Sequence, residues 1–198
     1  MPPELPVLIV ATRNAHKTQE IREMIGDRYK VLDANDFEAL PAVEETGTTF
    51  LENATLKAVA ISREVTGLTL SDDSGLEVDA LGSAPGVWSS SYGGEEGNHP
   101  KNNARLMAEM AGRTDRAARF RCTMVLAEGG QVLADFSGTV EGRILEAPYG
   151  AGGFGYDPLF APEGHDKSFA ELGAAVKNAL SHRGRALAKV VAWLESRG

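Results

Sequence analysis

One cysteine in 198 residues, Cys122, removes two classes of architecture. A lone thiol forms no internal disulfide, and it cannot build the multi-cysteine zinc site of a metal-stapled domain. Excess basic charge is also lacking: 20 Lys and Arg stand against 28 Asp and Glu, for a net charge of -8. Nucleic acid binding needs clustered cations, so no nucleic-acid partner is expected, and a phosphate ligand has to be met by a few placed cations or a metal. The apolar run Leu5 to Ala11 is broken by Pro6 and far too short to span a bilayer, and Met1-Pro2-Pro3-Glu4 lacks the basic flank of a signal peptide. No membrane association and a cytoplasmic location are the resulting expectations. Internal repeats, low-complexity tracts and a Walker A pattern are missing as well, which excludes an ordinary P-loop.

What is present, 42% hydrophobic and 24% charged residues, suits a globular chain with a real core, expected as one domain over residues 1–198. Leu5 to Ala11 reads as a buried strand, and Ile21, Met24 and Ile25 recur at helical spacing after Asn14, which opens an α/β unit. Tyr29 to Leu32 reads as a second strand. A helix then starts at a capping box, Thr49 with Glu52, carries Leu51, Ala54, Ala58 and Ile61 on one face, and stops at Gly67. A strand from Leu68 to Ser71 is expected to end at Asp72-Asp73 and turn through Ser74-Gly75. Pro100 to Gly112 reads as a helix, residues around Phe120 to Leu126 as a hairpin arm turning at Glu128-Gly129-Gly130, and a last helix is capped by Ser181. The hairpin predicts a mixed sheet.

Five stretches can carry chemistry. In "ATRNAHK" a strand hands over to a helix, where free N–H groups, the positive helix end and Lys17 would attract an anion; ordinary capping by Thr12 or Asn14 is the competing reading. Strand alternation sets Asp72 in phase with Leu68 and Leu70, where a carboxylate needs donors or a cation, and sets Asp73 with Thr69 and Ser71, on the face free to act; an Asx-type turn competes here. Glu44-Glu45 supplies carboxylates of the kind Mg²⁺ takes together with water and phosphate oxygens, unless the pair is simply solvated. "GAGGFGYDP" offers exposed backbone donors, aromatic Phe154 and Tyr156, and Asp157, in a segment that also reads as a tight turn. "KNALSHRGRAL" gathers Lys177, His182, Arg183 and Arg185 around a helix start, where cations oppose the dipole and so suggest a bound anion or polar ligand.

Taken in order, "ATRNAHKTQEI", "EETGTTFLENATLKA", "SDDSGLEVDALGSAPGV", "GGFGYDPLF", "FAEL" and "SHRGRAL" resemble the non-canonical purine NTP pyrophosphatase family, the enzymes that clear dITP, ITP and XTP. The match spans nearly the whole chain. It implies an α/β protein, an elongated two-lobed fold around a long mixed β-sheet with a cleft between the lobes. It further implies a homodimer, Mg²⁺ dependence, and hydrolysis of the α-β phosphoanhydride of nucleoside triphosphates to monophosphate and pyrophosphate. By motif position, Asp73 would be the general base and, with Glu45, a metal carboxylate, Glu44 being the rival. Thr12, Arg13, Asn14, Ala15, His16 and Ser74 would lie beside the substrate, and Lys17, Lys57 and Lys177 would neutralise the triphosphate. Phe154 would face the purine, with Gly155, Tyr156, Asp157, His182 and Arg183 around it. One departure stands out: the family commonly has arginine where this chain has Ser91. A pyrophosphatase for pyrimidine or modified nucleotides, and a non-catalytic nucleotide-binding protein, are the competing functions.

Overall fold

The structure, a computed structural model, describes residues 5–197; the leading Met1-Pro2-Pro3-Glu4 segment lies outside them. Its six strands are β1 (Val7–Val10), β2 (Lys30–Asp33), β3 (Leu68–Val78), β4 (Ala117–Glu128), β5 (Gln131–Ile144) and β6 (Phe160–Pro162). They form one mixed sheet in the order β2-β1-β3-β4-β5-β6. β1 pairs in parallel with both β2 and β3, whereas β5 and β6 are antiparallel. Gly129 and Gly130, both at positive φ, make the two-residue turn between β4 and β5. The helices are α1 (Ala15–Ile25), α2 (Phe50–Glu64), α3 (His99–Glu109), α4 (Phe169–Leu172), α5 (Ala174–Leu180) and α6 (His182–Glu195). None of the described helices is long and apolar enough to cross a membrane.

The described residues fold into two compact units, one of residues 5–73 with 123–137 and 186–197, the other of residues 74–122 and 138–185. In the first, Ile9, Ala11, Ala34, Leu40 and Ile61 form one buried cluster, and Ala54, Ala58, Val125 and Ala127 a second. In the second, Leu76, Leu106, Met110, Phe120, Phe160 and Phe169 lie in a larger core.

Two sequence expectations need correction. β3 does not stop at the aspartates and turn through Ser-Gly; it runs on to Val78, so Asp72, Asp73 and Ser74 are strand residues. Ser and Gly favour turns, yet Ser74 and Gly75 are extended here, beyond Leu70, where the pairing of β3 with β1 ends. In α2 the capping box of Thr49 and Glu52 forms, but Leu51 is exposed and Phe50 takes the buried position. Phe50, Ala54, Ala58 and Ile61 then follow a 4-4-3 spacing on one helix face.

Candidate functional site

Because side chains alternate along β3, its two carboxylates meet different helices. Asp72, only 1% exposed, lies 2.6 Å from the Lys17 ammonium in the first turn of α1. Lys17 is the cation its buried position demands. The opposite face, with Thr69 and Ser71, is buried rather than open to solvent, because α2 covers it: Ser71 Oγ donates to the Ala54 carbonyl at 2.5 Å. Lys57 follows Ala54 by three residues on that helix face, so its Nζ reaches Asp73 Oδ1 at 3.2 Å and Glu45 Oε2 at 3.1 Å. Glu45 is thus the member of the acidic pair that joins Asp73.

Burial pushes the Asp73 carboxyl up to about 6; Lys57 and Lys17 pull against that rise, and Glu45 and Asp72 add to it. Burial would discharge Lys57, but Asp73, Glu45 and Asp72 outweigh it and hold its pKa above the ordinary lysine value. Asp73 Oδ2, meanwhile, is buried with no hydrogen-bond partner. A cavity of about 230 Å³ lies against Thr12, Arg13, Val43, Glu45, Lys57 and Ile61.

The acidic loop is held from α2. Glu52 Oε2 accepts from the Thr48 and Thr49 amides at 2.7 and 3.1 Å, hydrogen bonds that keep its pKa below the usual carboxylate range. Asn53 Oδ1 accepts from the Gly47 amide at 2.8 Å, and a Cβ on Gly47 would come within 2.6 Å of that oxygen. Sequence reading found Glu52 through its capping spacing but missed Asn53, whose pattern is that of any polar helix residue. The first loop is also internally braced. Asn14 caps α1 by accepting from the His16 and Lys17 amides, so two donors of the expected anion site are already engaged, while Ala15 and His16 are exposed. Thr12 Oγ1 accepts from the Asn14 amide, and Arg13 donates to the Ala34 and Leu40 carbonyls.

In the second unit the glycine loop is built around Asp157. Its Oδ2 accepts from the part-buried Phe154 amide at 2.8 Å and from the buried Lys177 Nζ at 2.6 Å. Gly153 sits at φ +70 against this carboxylate, where a Cβ would lie 2.1 Å from Oδ2. Lys177 is therefore found with the glycine loop, its ammonium 4.6 Å from the Phe154 ring centroid. Arg183, 1% exposed, donates to Ser74 Oγ at 2.9 Å, with its guanidinium carbon 5.8 Å from the same centroid. His182 stacks on Phe120 at 4.8 Å, and Asn103 of α3 donates to the Gly155 carbonyl at 3.1 Å. Tyr156 departs from expectation: its ring belongs to the core and its hydroxyl donates to the Ser89 carbonyl at 2.8 Å, so the side chain is spent on packing. Arg185 donates to the Thr139 carbonyl on the surface. Beside Ser91, Arg105 lies over the Tyr92 ring at 4.2 Å and donates to the Tyr92 carbonyl.

The model of the Ham1 family matches residues 8–193. The chain belongs to the Ham1 family. It is 50% identical to a dITP/XTP pyrophosphatase of Gloeobacter violaceus, the alignment covering 93% of this chain and 92% of the relative. It is 45% identical to the dITP/XTP pyrophosphatase of Bacillus licheniformis over 95% and 97% of the two chains. Among solved structures, a HAM1 protein from Coxiella burnetii superimposes with a TM-score of 0.87 at 37% identity, covering 97% of this chain and all of that one. The Staphylococcus aureus Ham1 protein gives 0.86 at 36% identity, covering 96% and 99%.

This Ham1 chain can be tested for the metal its resemblance implies. Among the described residues no group of three or more His, Cys, Asp and Glu side chains is placed to hold an ion. Asp73 and Glu45 meet at one ammonium, and Asp73 keeps a buried oxygen without a partner. Two hard carboxylates fit Mg²⁺, which takes one or two from protein and fills its octahedron with water and phosphate oxygens.

Proposed function

We propose that the protein is a Mg²⁺-dependent nucleoside-triphosphate pyrophosphatase that hydrolyses the α-β phosphoanhydride of dITP, ITP and XTP, removing non-canonical purine nucleotides from the pool. The observation that carries this reading is the meeting of buried Asp73 and exposed Glu45 at the Lys57 ammonium, together with the Lys17-Asp72 pair. Relatives named dITP/XTP pyrophosphatase that are 45–50% identical over nearly the whole chain support it.

Asp73 is the general base in this reading. The attacking water must lose a proton as it bonds to phosphorus, and Asp73 Oδ2 is the atom that accepts it. A carboxylate raised to about 6 is mostly ionised at neutral pH, yet about a hundredfold more basic than an ordinary aspartate. Lys57 and Lys17 offset the charge of the phosphates, so an acidic protein meets an acidic substrate through local cations. Asp73 and Glu45 would hold the metal, which when bound lowers the pKa of a coordinated water and neutralises phosphate charge.

Phe154 supplies the face for the purine, and the Arg183 guanidinium near it supplies donors for a 6-oxo group. An adenine amino group would face those donors with a donor of its own, a mismatch of the kind that can reject a base by factors of about 10⁴. Pyrophosphate release with Mg²⁺ from ITP, XTP, dITP, ATP and GTP tests the reading. ITP and XTP are expected to turn over far faster than ATP and GTP, and equal rates would refute it.

A further inference from the structure

The glycine loop that carries Phe154 is reached by α3 at two points. His99 and Asn103, four residues apart, share one helix face. The His99 ring lies 6.1 Å from the Phe154 ring at a 49° tilt, and Asn103 Nδ2 donates to the Gly155 carbonyl at 3.1 Å. The hydrogen-bond arrangement of Asn103 is unusual. Its Oδ1 is buried and has no hydrogen-bond partner, so the side chain bears the desolvation of an unpaired acceptor while making its bond to the loop. Turning the amide over would set oxygen against the Gly155 oxygen, so the bond fixes the orientation. For stability alone an apolar side chain would serve better there. A polar group kept at this cost, with its bond directed to a positive-φ glycine next to Phe154, is explained by what it holds.

We propose that Asn103 is a positioning residue for base recognition: from α3 it clamps the Gly155 carbonyl, fixing the loop so that Phe154 presents one defined face to the purine. The loop is then held at both ends of the Phe154-Gly155 peptide pair, with Asp157 taking the Phe154 amide and Asn103 the Gly155 carbonyl. The inference rests on the proposed purine site, but its core is a statement about loop order, which can be read without substrate.

The experiment compares the full-length protein with Asn103→Leu, which removes both the clamp and the unpaired acceptor, and Asn103→Asp, which keeps the shape but sets a carboxylate oxygen against the carbonyl. Amide hydrogen exchange on the ligand-free proteins is expected to speed up at least tenfold within residues 150–157 in both variants and to stay unchanged in β4. The urea midpoint of Asn103→Leu is expected to equal or exceed that of the original. With ITP, KM is expected to rise at least tenfold while kcat changes less than threefold, and binding of inorganic triphosphate stays unchanged. Unchanged loop exchange overturns the proposal, as does a lower midpoint with faster exchange throughout the unit, which would make Asn103 an ordinary structural residue. Should the original protein fail to turn over ITP, the function reading falls, and the exchange data still decide the clamp.

Discussion

Asp73→Asn is expected to stabilise the protein while abolishing its chemistry. Asp73 is 6% exposed and its carboxyl is raised from 3.8 to about 6, which means that the fold prefers the protonated, neutral form. The sign follows: a raised pKa lends stability below about 3.8 that is lost as pH climbs through 6, so at pH 8 the folded protein bears the full cost of the ionised carboxylate. At 1.36 kcal/mol per pH unit, the rise corresponds to roughly 3 kcal/mol. Asparagine keeps the shape, cannot ionise, and can still present an oxygen to Lys57. Its advantage over the original chain should therefore grow by up to roughly 3 kcal/mol between pH 4 and pH 8, about 6–12 °C in melting temperature for a chain of this size. Urea melts of both proteins in chelator at several pH values measure this difference. Taking the difference cancels the titration of all groups except those coupled to position 73. A gap that stays constant with pH, or a variant losing ground as pH rises, refutes the electrostatic account of Asp73. A variant that still releases pyrophosphate at the original rate refutes its role as base.

Lys57→Met removes the nearest cation from Asp73 and Glu45, so NMR titration of the Asp73 carboxyl without metal should end well above pH 6; an unchanged or lower midpoint contradicts the pairing. Gly153→Ala forces a methyl toward Asp157 Oδ2 at a φ of +70, and a loss of about 1–3 kcal/mol by thermal melting, with a raised KM for ITP, is expected. Tyr156→Phe gives up the bond to the Ser89 carbonyl, so a loss of about 1 kcal/mol in urea with unchanged base selectivity is expected; a selectivity change would return Tyr156 to the substrate side.

How far residues alone lead differs from place to place. The hairpin turn at Gly129-Gly130, the capping box of α2 and the separation of Asp72 from Asp73 follow from local chemistry: positive-φ glycines, reciprocal caps and strand alternation act over a few residues. Where β3 ends is not local. Ser74 and Gly75 are residues that favour turns, and their extended backbone belongs to an eleven-residue strand set within a sheet, which no window of a few residues shows. Tyr156 is ambiguous in sequence for a related reason. A tyrosine beside glycines suits a ligand wall or a core equally, and the carbonyl that claims its hydroxyl lies 67 positions away in sequence.

The lysines show the same distinction between local and distant partners. Lys17, Lys57 and Lys177 all appear as cations for a triphosphate when met in sequence, yet each one is within 3.2 Å of a buried aspartate: Lys17 at Asp72, Lys57 at Asp73, Lys177 at Asp157. A buried charge is costly without an opposite partner, and each of these lysines has one. In the proposed reaction phosphate would meet Lys17 and Lys57 already oriented by Asp72 and Asp73, which would limit the reorganisation needed when substrate arrives.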